Sequence, residues 1–146
     1  MRAWFAEGLA AVEGGHRVGR FAVVPGLRSA DADATLWIGD GAVVQGDVRH
    51  AGSVALGAGV HVQGDVEGGH EVVVGARCLV SGAVRADGRI VVQAGARVGA
   101  VHARGDVLLL GDGHTGDVRA GGDILVAGGP ETGTLRPGGR VATRPW

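Results

Sequence analysis

The chain has 146 residues, a length that suits one domain. Apolar residues make up 45% of it and aromatic residues only 3%, so Val, Leu, Ile and Ala must fill any core. Thirty glycines with only four prolines exclude a collagen-like chain, and a net charge of −1 gives no general attraction for nucleic acid. The single cysteine, Cys78, excludes an internal disulfide, and no apolar run is long enough to cross a bilayer.

Residues 1–35 lack a regular repeat and are interpreted as an N-terminal tail. In a helix, the first part, MRAWFAEGLAAVE, would gather four apolar residues near one face, namely Trp4, Phe5, Leu9 and Val12. Such a face is typical of a short anchor at a membrane surface, whereas the segment is a poor signal peptide. The following stretch, FAVVPGLRSADADATLW, suits either a partial coil or a flap over one end of the next domain. We therefore expect a cytoplasmic protein whose tail binds the inner face of the cytoplasmic membrane or covers one end of the fold.

From Leu36 onward an apolar residue recurs at every sixth position. The series is Leu36, Ala42, Val48, Val54, Val60, Val66, Val72, Cys78, Val84, Ile90 and Ala96. A second series, two residues further along, is apolar except where His50 and Gly68 fall. Two inward residues spaced by two describe a short strand with alternate side chains facing the core. Three such strands make one coil, so the pattern should return after three of these steps, which explains why VVQGDV at 43–48 is followed by HVQGDV at 61–66.

In the second half of the chain the period shortens by one residue, as the spacing of Ile90, Val107, Ile124 and Val141 shows. Glycine, which adopts tight bends at little cost, marks one corner of every coil, at Gly46, Gly64, Gly82, Gly99, Gly116 and Gly133. Residues 36–143 are therefore predicted to form an all-β solenoid. This fold is a single-stranded parallel β-helix of about six triangular coils of 17–18 residues. Residues 144–146 are left as a C-terminal tail.

Inward and outward side chains follow from this frame. Cys78 falls in an inward column, which predicts a small buried hydrophobe rather than an exposed, reactive thiol. The outward residues of the third side form a ladder of Arg49, Glu67, Arg85, His102, Arg119 and Arg136. A solvated face is the expected role of this ladder, and an anionic partner such as a membrane leaflet is the functional alternative.

No residue is predicted to be catalytic, to bind a cofactor or to bind a metal. Asp47, Asp65 and Asp117 stand beside corner glycines, where their carboxylates can accept hydrogen bonds from turn amides. A cation between coils is the alternative, although Ala83 and Ala100 interrupt the column of carboxylates. The six histidines lack the close spacing of zinc ligands and are expected to be dispersed over the surface. The stretch GDGHTGD (111–117) lacks the GK[ST] ending of a phosphate-binding loop, so neither a cofactor nor a nucleotide is expected.

The two ends of a β-helix expose strand edges and an apolar cross-section that can pair with another chain. Leu36 and Ile38 would lie at one end of the predicted stack, and Leu135 and Val141 at the other. These four residues are the candidates for end-to-end assembly. Repetition of such a contact gives a filament, so the chain itself is the expected partner.

Several stretches together resemble the bactofilin family of bacterial cytoskeletal proteins: IGDGAVVQGDV (38–48), LGAGVHVQGDV (56–66), VGARCLVSGAV (74–84) and RAGGDILVAG (119–128). The resemblance covers about residues 36–143. It implies a right-handed triangular β-helix that polymerises without nucleotide and carries no catalytic residues. It also implies a scaffold for cell-wall or polar machinery, with the inner membrane and cell-wall-related proteins as further partners. The 35-residue leader departs from the family, and a leader that covered one end would limit polymerisation.

Two other classes fit the same repeat. Hexapeptide-repeat acyltransferases and γ-class carbonic anhydrases form left-handed β-helices with a six-residue step, and the period alone does not determine handedness. These enzymes usually carry a C-terminal helix or an inserted loop and a catalytic His at a trimer interface, none of which the sequence indicates. A polar-cap domain of the kind found in a bacterial division inhibitor also has GGD-rich coils, but it would need a partner domain. We therefore expect a non-enzymatic, self-assembling protein.

Overall fold

A computed structural model describes residues 9–12, 15–24, 26–29, 35–128 and 132–144. Within these ranges the chain consists of strands, turns and bends, and contains no helix. The strands stack in parallel into a β-solenoid, so the predicted fold class is confirmed.

The described part of the chain contains twenty short strands. The first ten are β1 Leu9–Val12, β2 Gly15–Val18, β3 Val23–Val24, β4 Leu27–Ser29, β5 Thr35–Ile38, β6 Val43–Val44, β7 Val48–His50, β8 Ser53–Leu56, β9 His61–Val62 and β10 Val66–Gly68. The second ten are β11 Val72–Val74, β12 Leu79–Val80, β13 Val84–Ala86, β14 Ile90–Val92, β15 Val101–Ala103, β16 Val107–Leu110, β17 Val118–Ala120, β18 Ile124–Ala127, β19 Leu135–Pro137 and β20 Val141–Arg144.

Three sheets form the sides of the solenoid. The nine-stranded sheet has the order β1-β2-β5-β8-β11-β14-β16-β18-β20, and the seven-stranded sheet has the order β19-β17-β15-β13-β10-β7-β4. The four-stranded sheet, β12-β9-β6-β3, is continued by single bridges at Arg97 and His114. All of these pairings are parallel except that of β1 with β2, so each coil lies in register on the coil before it.

The register follows the repeat that the sequence shows. Val48 pairs with Val66 and Val66 with Val84, whereas Val84 pairs with Val101, so the step becomes one residue shorter after Val84. The shorter step preserves the pairing because the missing residue comes from the corner between the four-stranded and seven-stranded sheets, and no strand is interrupted. The shortening of the period was predicted and is confirmed.

The core consists of aliphatic side chains stacked on their equivalents in neighbouring coils. Its largest fully buried members are Leu36, Ile38, Ile90, Leu109 and Ile124, and most of the others are Val. Branched side chains suit this surface because they pack closely on a pleated sheet. Burial of each such side chain stabilises the fold by about 1.5–3 kcal/mol.

The solenoid begins earlier than residue 36. Strands β2, β3 and β4 pair in parallel with β5, β6 and β7 and add a coil at the N-terminal end. The repeat count misses this coil because Gly15 pairs with Thr35 and Leu27 pairs with Val48, and both steps are longer than those of the later coils.

The extra coil changes the placement of two candidate assembly residues. Leu36 and Ile38 are 1% exposed, and their strand β5 is paired on both edges, with β2 and with β8. They are therefore interior residues, and the expectation that they form an end of the stack is wrong.

The N-terminal segment also differs from its expected helical form. Leu9–Val12 is strand β1, which pairs antiparallel with β2 through Leu9–Val18 and Val12–Gly15. A helical face that includes Leu9 and Val12 is therefore wrong. Trp4 and Phe5 lie outside the described residues.

One corner of the coil requires a left-handed backbone. Phe21, Gly41, Gly59, Arg77 and Gly95 occupy equivalent places there, with φ between 57° and 73°. Each of the first four donates its amide N–H to the carbonyl just before the corresponding residue of the next coil, at 2.9–3.0 Å. Glycine adopts this conformation freely, whereas other residues lose about 1–2 kcal/mol.

Substitution of Val66 by Asp, compared with Arg85→Ala, tests the inward and outward assignment. Val66 is fully buried, so an Asp there places an unpaired carboxylate in the core and should abolish the cooperative fold. Arg85 is exposed, and its replacement should change the free energy of unfolding by no more than about 0.5 kcal/mol. Circular dichroism during urea denaturation measures both effects. Similar unfolding curves for the two variants would contradict the assignment.

Arg77→Gly should stabilise the protein. Glycine removes the cost of the left-handed backbone at this corner while the amide hydrogen bond to Ala94 remains. After allowance for the greater freedom of glycine in the unfolded chain, we expect a gain of about 0.5–1 kcal/mol in the free energy of unfolding. Arg97→Gly is the matched control. Arg97 is also exposed but lacks a positive φ, so its replacement should destabilise the protein. A loss of stability in both variants would refute the interpretation of the corner.

Candidate functional site: the ends and outer faces of the solenoid

Aspartates at the corners bind most of the coils to the next. In six places an Asp Oδ1 atom accepts a hydrogen bond from the backbone amide of a residue one coil further along, at 2.8–2.9 Å. The pairs are Asp40 with Ala58, Asp47 with Asp65, Asp65 with Ala83, Asp106 with Asp123, Asp117 with Thr134 and Asp123 with Arg140. The predicted turn-capping role of Asp47, Asp65 and Asp117 is therefore confirmed, and the amides that they cap belong to the following coil.

These carboxylates explain why glycine precedes each capped amide. A Cβ atom on Gly64 would collide with Oδ1 of Asp47, and one on Gly82 would collide with Oδ1 of Asp65. The same clash would arise at Gly57, Gly122, Gly133 and Gly139. Each of these six aspartates therefore leaves room only for Gly at the position before the amide that it caps.

The side chains that could support chemistry are dispersed or buried. Among the residues that the structure describes, no three His, Cys, Asp or Glu side chains come together as metal ligands. Cys78 is buried, as predicted, and its Sγ atom donates a hydrogen bond to the Gly57 carbonyl at 2.8 Å. Burial raises the pKa of the Cys78 thiol, so the reactive thiolate is disfavoured. His50 differs from the expected surface histidines because it is buried at the end of β7.

The outer face of the seven-stranded sheet carries the predicted ladder. Strand pairing aligns Arg49, Glu67, Arg85, His102, Arg119 and Arg136 in successive coils. From Glu67 to Arg136 the ladder lines a shallow groove of about 590 Å³. Arg104 and Asp87, beside it, form a 3.5 Å ion pair, but both side chains are largely exposed, so the pair contributes little stability.

A column of outward apolar residues runs along the nine-stranded sheet, and the sequence analysis did not single it out. Strand pairing aligns its members, Trp37, Ala55, Val73, Val91, Leu108, Leu125 and Ala142. All are half-buried except Ala142, which is exposed. A signal was present in the sequence, because these residues lie between two inward positions and recur once in every coil. We call this surface the apolar column.

The N-terminal end of the solenoid is partly covered. Strand β1 runs antiparallel along β2 and thereby pairs the edge that the first coil would present on the nine-stranded sheet. Val24, an inward residue of that coil, is 0% exposed. Strands β3 and β4 are the edges of the other two sheets at this end.

The C-terminal end is open within the described residues. Its edge strands are β19 and β20, where Leu135 is half-buried and Val141 is 42% exposed. One coil earlier, the Ile124 amide donates to the Arg140 carbonyl at 2.8 Å. The Val141 amide occupies the equivalent place, and the described chain has no further coil to accept its hydrogen bond. Leu135 and Val141 therefore lie at the end where the sequence placed them.

Comparison with known proteins finds no family model, no curated protein sequence and no solved structure that matches this chain. Within the described ranges, no helix has the length and apolar content needed to cross a bilayer.

Proposed function

We propose that this chain is a non-enzymatic structural protein that assembles end to end into nucleotide-independent filaments, in the manner of the bactofilins that its sequence resembles. The observation that carries the proposal is the C-terminal end. There, strand edges and the partly exposed Leu135 and Val141 end the stack without a covering segment among the described residues.

The physical basis is that a second molecule can continue the stack. The coils within the chain are held together by backbone hydrogen bonds in register and by apolar columns. The edge strands at the ends of another chain, β3 and β4 or β19 and β20, can offer backbone donors and acceptors and apolar side chains to this end. Each backbone hydrogen bond contributes about 0.5–1.5 kcal/mol net, and the apolar side chains at the end leave water. The right-handed winding that the resemblance implies belongs to this proposal as well.

Growth beyond a pair requires a second contact at the N-terminal end. Strand β1 pairs with only one of the three sheets there, and β3 and β4 keep edges that another molecule can pair with. The two ends of the molecule therefore offer different surfaces. A filament uses both, and the N-terminal contact has to accommodate β1.

Negative-stain microscopy of the purified protein, in chelator and without nucleotide, tests the assembly. We expect filaments from the natural sequence and few or none from Val141→Asp, which places a charge in the end contact. Leu79→Asp is the matched control. Leu79 is 40% exposed, close to the 42% of Val141, but it faces outward on the four-stranded sheet, away from the ends. Filaments should therefore persist in this control. Circular dichroism should show both variants to be folded.

Small discrete particles of the natural sequence at every concentration would contradict the proposal. A stable trimer that binds stoichiometric metal or turns over acyl-CoA would instead support a hexapeptide-repeat enzyme.

The proposed location is the cytoplasm, at the inner face of the cytoplasmic membrane, where the filament would scaffold cell-envelope or polar machinery. The membrane contact would come from the N-terminal residues, including Trp4 and Phe5. A single short apolar segment binds a membrane weakly, but many such segments along one filament bind together with much higher avidity.

Liposome flotation tests the membrane contact. Deletion of residues 1–8 should abolish flotation of the assembled protein. The deletion stops at residue 8 because Leu9–Val12 forms β1, whose loss would also alter the N-terminal end of the solenoid. Trp4→Ser combined with Phe5→Ser is the second variant, since it keeps the length of the chain. Equal flotation of all three proteins would rule out the anchor.

A further inference from the structure

The apolar column lies on one side of the solenoid and runs along it as far as the edge strand β20. From β11 to β20 the column presents Val73, Val91, Leu108, Leu125 and Ala142. Next to it, Leu110 pairs with Ala127 and adds a second pair of outward apolar side chains. Most of these residues are half-buried in the single chain, because each shields its neighbour in the next coil. A sheet face with this composition is suited to packing against another sheet face.

Charged residues border one side of this column in the order Glu71, Arg89, Asp106, Asp123 and Arg140. Each immediately precedes the first inward residue of its strand, in five successive coils. Arg89 and Glu71 form an ion pair at 2.6 Å within the chain. The row of charges therefore reads negative, positive, negative, negative, positive along the solenoid. We call it the charged row.

We infer that the apolar column binds the same column of a second copy, with the two solenoids antiparallel and related by a two-fold axis at β16. In this arrangement the charged row of one copy faces the reversed row of the other. Glu71 then lies opposite Arg140, and Arg89 lies opposite Asp123. Each of these contacts occurs twice. The single like-charged contact is Asp106 with Asp106, whose Oδ1 atom already accepts the Asp123 amide within the chain.

The apolar residues match in the same arrangement. Leu108 lies opposite Leu108 at the centre, Val91 opposite Leu125, and Val73 opposite Ala142. Parallel solenoids are disfavoured, because the charged row of one copy would then face Leu110 and Ala127 of the other. Moving the axis to β14 places Glu71 opposite Asp106 and Arg89 opposite Arg89, so like charges meet. Moving the axis to β18 leaves Glu71 and Arg89 without an opposite charge in the other row.

The size of the contact indicates weak binding between single molecules. Five coils at about 4.8 Å each give a strip about 24 Å long and about 14 Å wide. This area is below the roughly 800 Å² per partner of a standard stable interface. In a filament the contact repeats with every subunit, so many weak contacts add up to a firm lateral bond. The pairing of filaments therefore rests on the proposed end-to-end assembly, whereas the pairing of single molecules does not.

Site-specific cross-linking tests the two-fold arrangement. The background is Cys78→Ala with Val141→Asp, so that the natural thiol is removed and end-to-end growth is blocked. Packed sheets lie about 10 Å apart, too far for a disulfide, so a short bismaleimide is the reagent. Leu108→Cys should cross-link to itself. Val91→Cys and Leu125→Cys should cross-link little when alone and at least tenfold more when mixed. Leu79→Cys, on the four-stranded sheet, is the control.

Dimer yield from Leu108→Cys no greater than that from Leu79→Cys would overturn the inference. A monofunctional maleimide gives a second test of the same variant. If the Leu108→Cys thiol is equally protected from this reagent at every protein concentration, the column is covered by its own chain, and the inference is overturned. An equal yield from Val91→Cys alone and from the mixture would contradict the antiparallel register.

A second variant separates this contact from the end contact. Leu108→Asp in the natural background should leave single filaments and remove paired ones, whereas Val141→Asp should remove filaments and leave the cross-linked pair. Paired filaments in Leu108→Asp would refute the lateral contact. Failure of Val141→Asp to block filaments would count only against the proposed end contact, because the two-fold register predicts the same cross-links in single molecules and in filaments.

Discussion

The structure depends on hydrogen bonding between equivalent backbone groups of successive coils. Val48, Val66 and Val84 illustrate the constraint, because each pairs with its equivalent in the next coil and presents an inward side chain to the same column. The backbone hydrogen bonds of a parallel sheet form only if each strand of a coil lies in register on the equivalent strand of the neighbouring coil. A residue can therefore be lost at a corner, as the shorter step after Val84 shows, but not within a strand. The aliphatic core follows from this geometry, since identical small branched side chains stack without the bulk of aromatic rings.

The corners show how the sequence encodes the register. The carboxylate of Asp47 occupies the space that a Cβ atom on Gly64 would need, and it binds the amide that follows Gly64. The Asp of one coil and the Gly of the next coil are therefore in contact with each other. Together they connect two coils, and they do not simply form a turn within one coil. The left-handed corner adds a second requirement, which Arg77 meets at a cost. These two demands explain nine of the thirty glycines, six beside aspartates and three at the left-handed corner.

The sequence was sufficient to predict the solenoid wherever the period stays constant or shortens by a single residue, and it failed where the step is longer. The coil before residue 36 escaped detection because its steps, from Gly15 to Thr35 and from Leu27 to Val48, break the count. Leu36 and Ile38 were therefore assigned to an end instead of the interior. The antiparallel pairing of β1 could not be read from a repeat pattern, because it is a single non-repeating contact. Leu135 and Val141 were placed at the open end because the last coil keeps the period. The apolar column has an equally regular spacing, but the repeat that predicts the core uses inward positions only and does not include it.

In the proposed filament one surface continues the stack and another forms a lateral contact, so the strands must run across the filament axis. X-ray fibre diffraction from oriented assemblies measures this direction. Strands that lie across the filament, as coils stacked end to end require, should give a reflection at about 4.8 Å along the fibre axis. The same reflection at right angles to the axis, or its absence from well-ordered filaments, would show that molecules do not continue one another's coils.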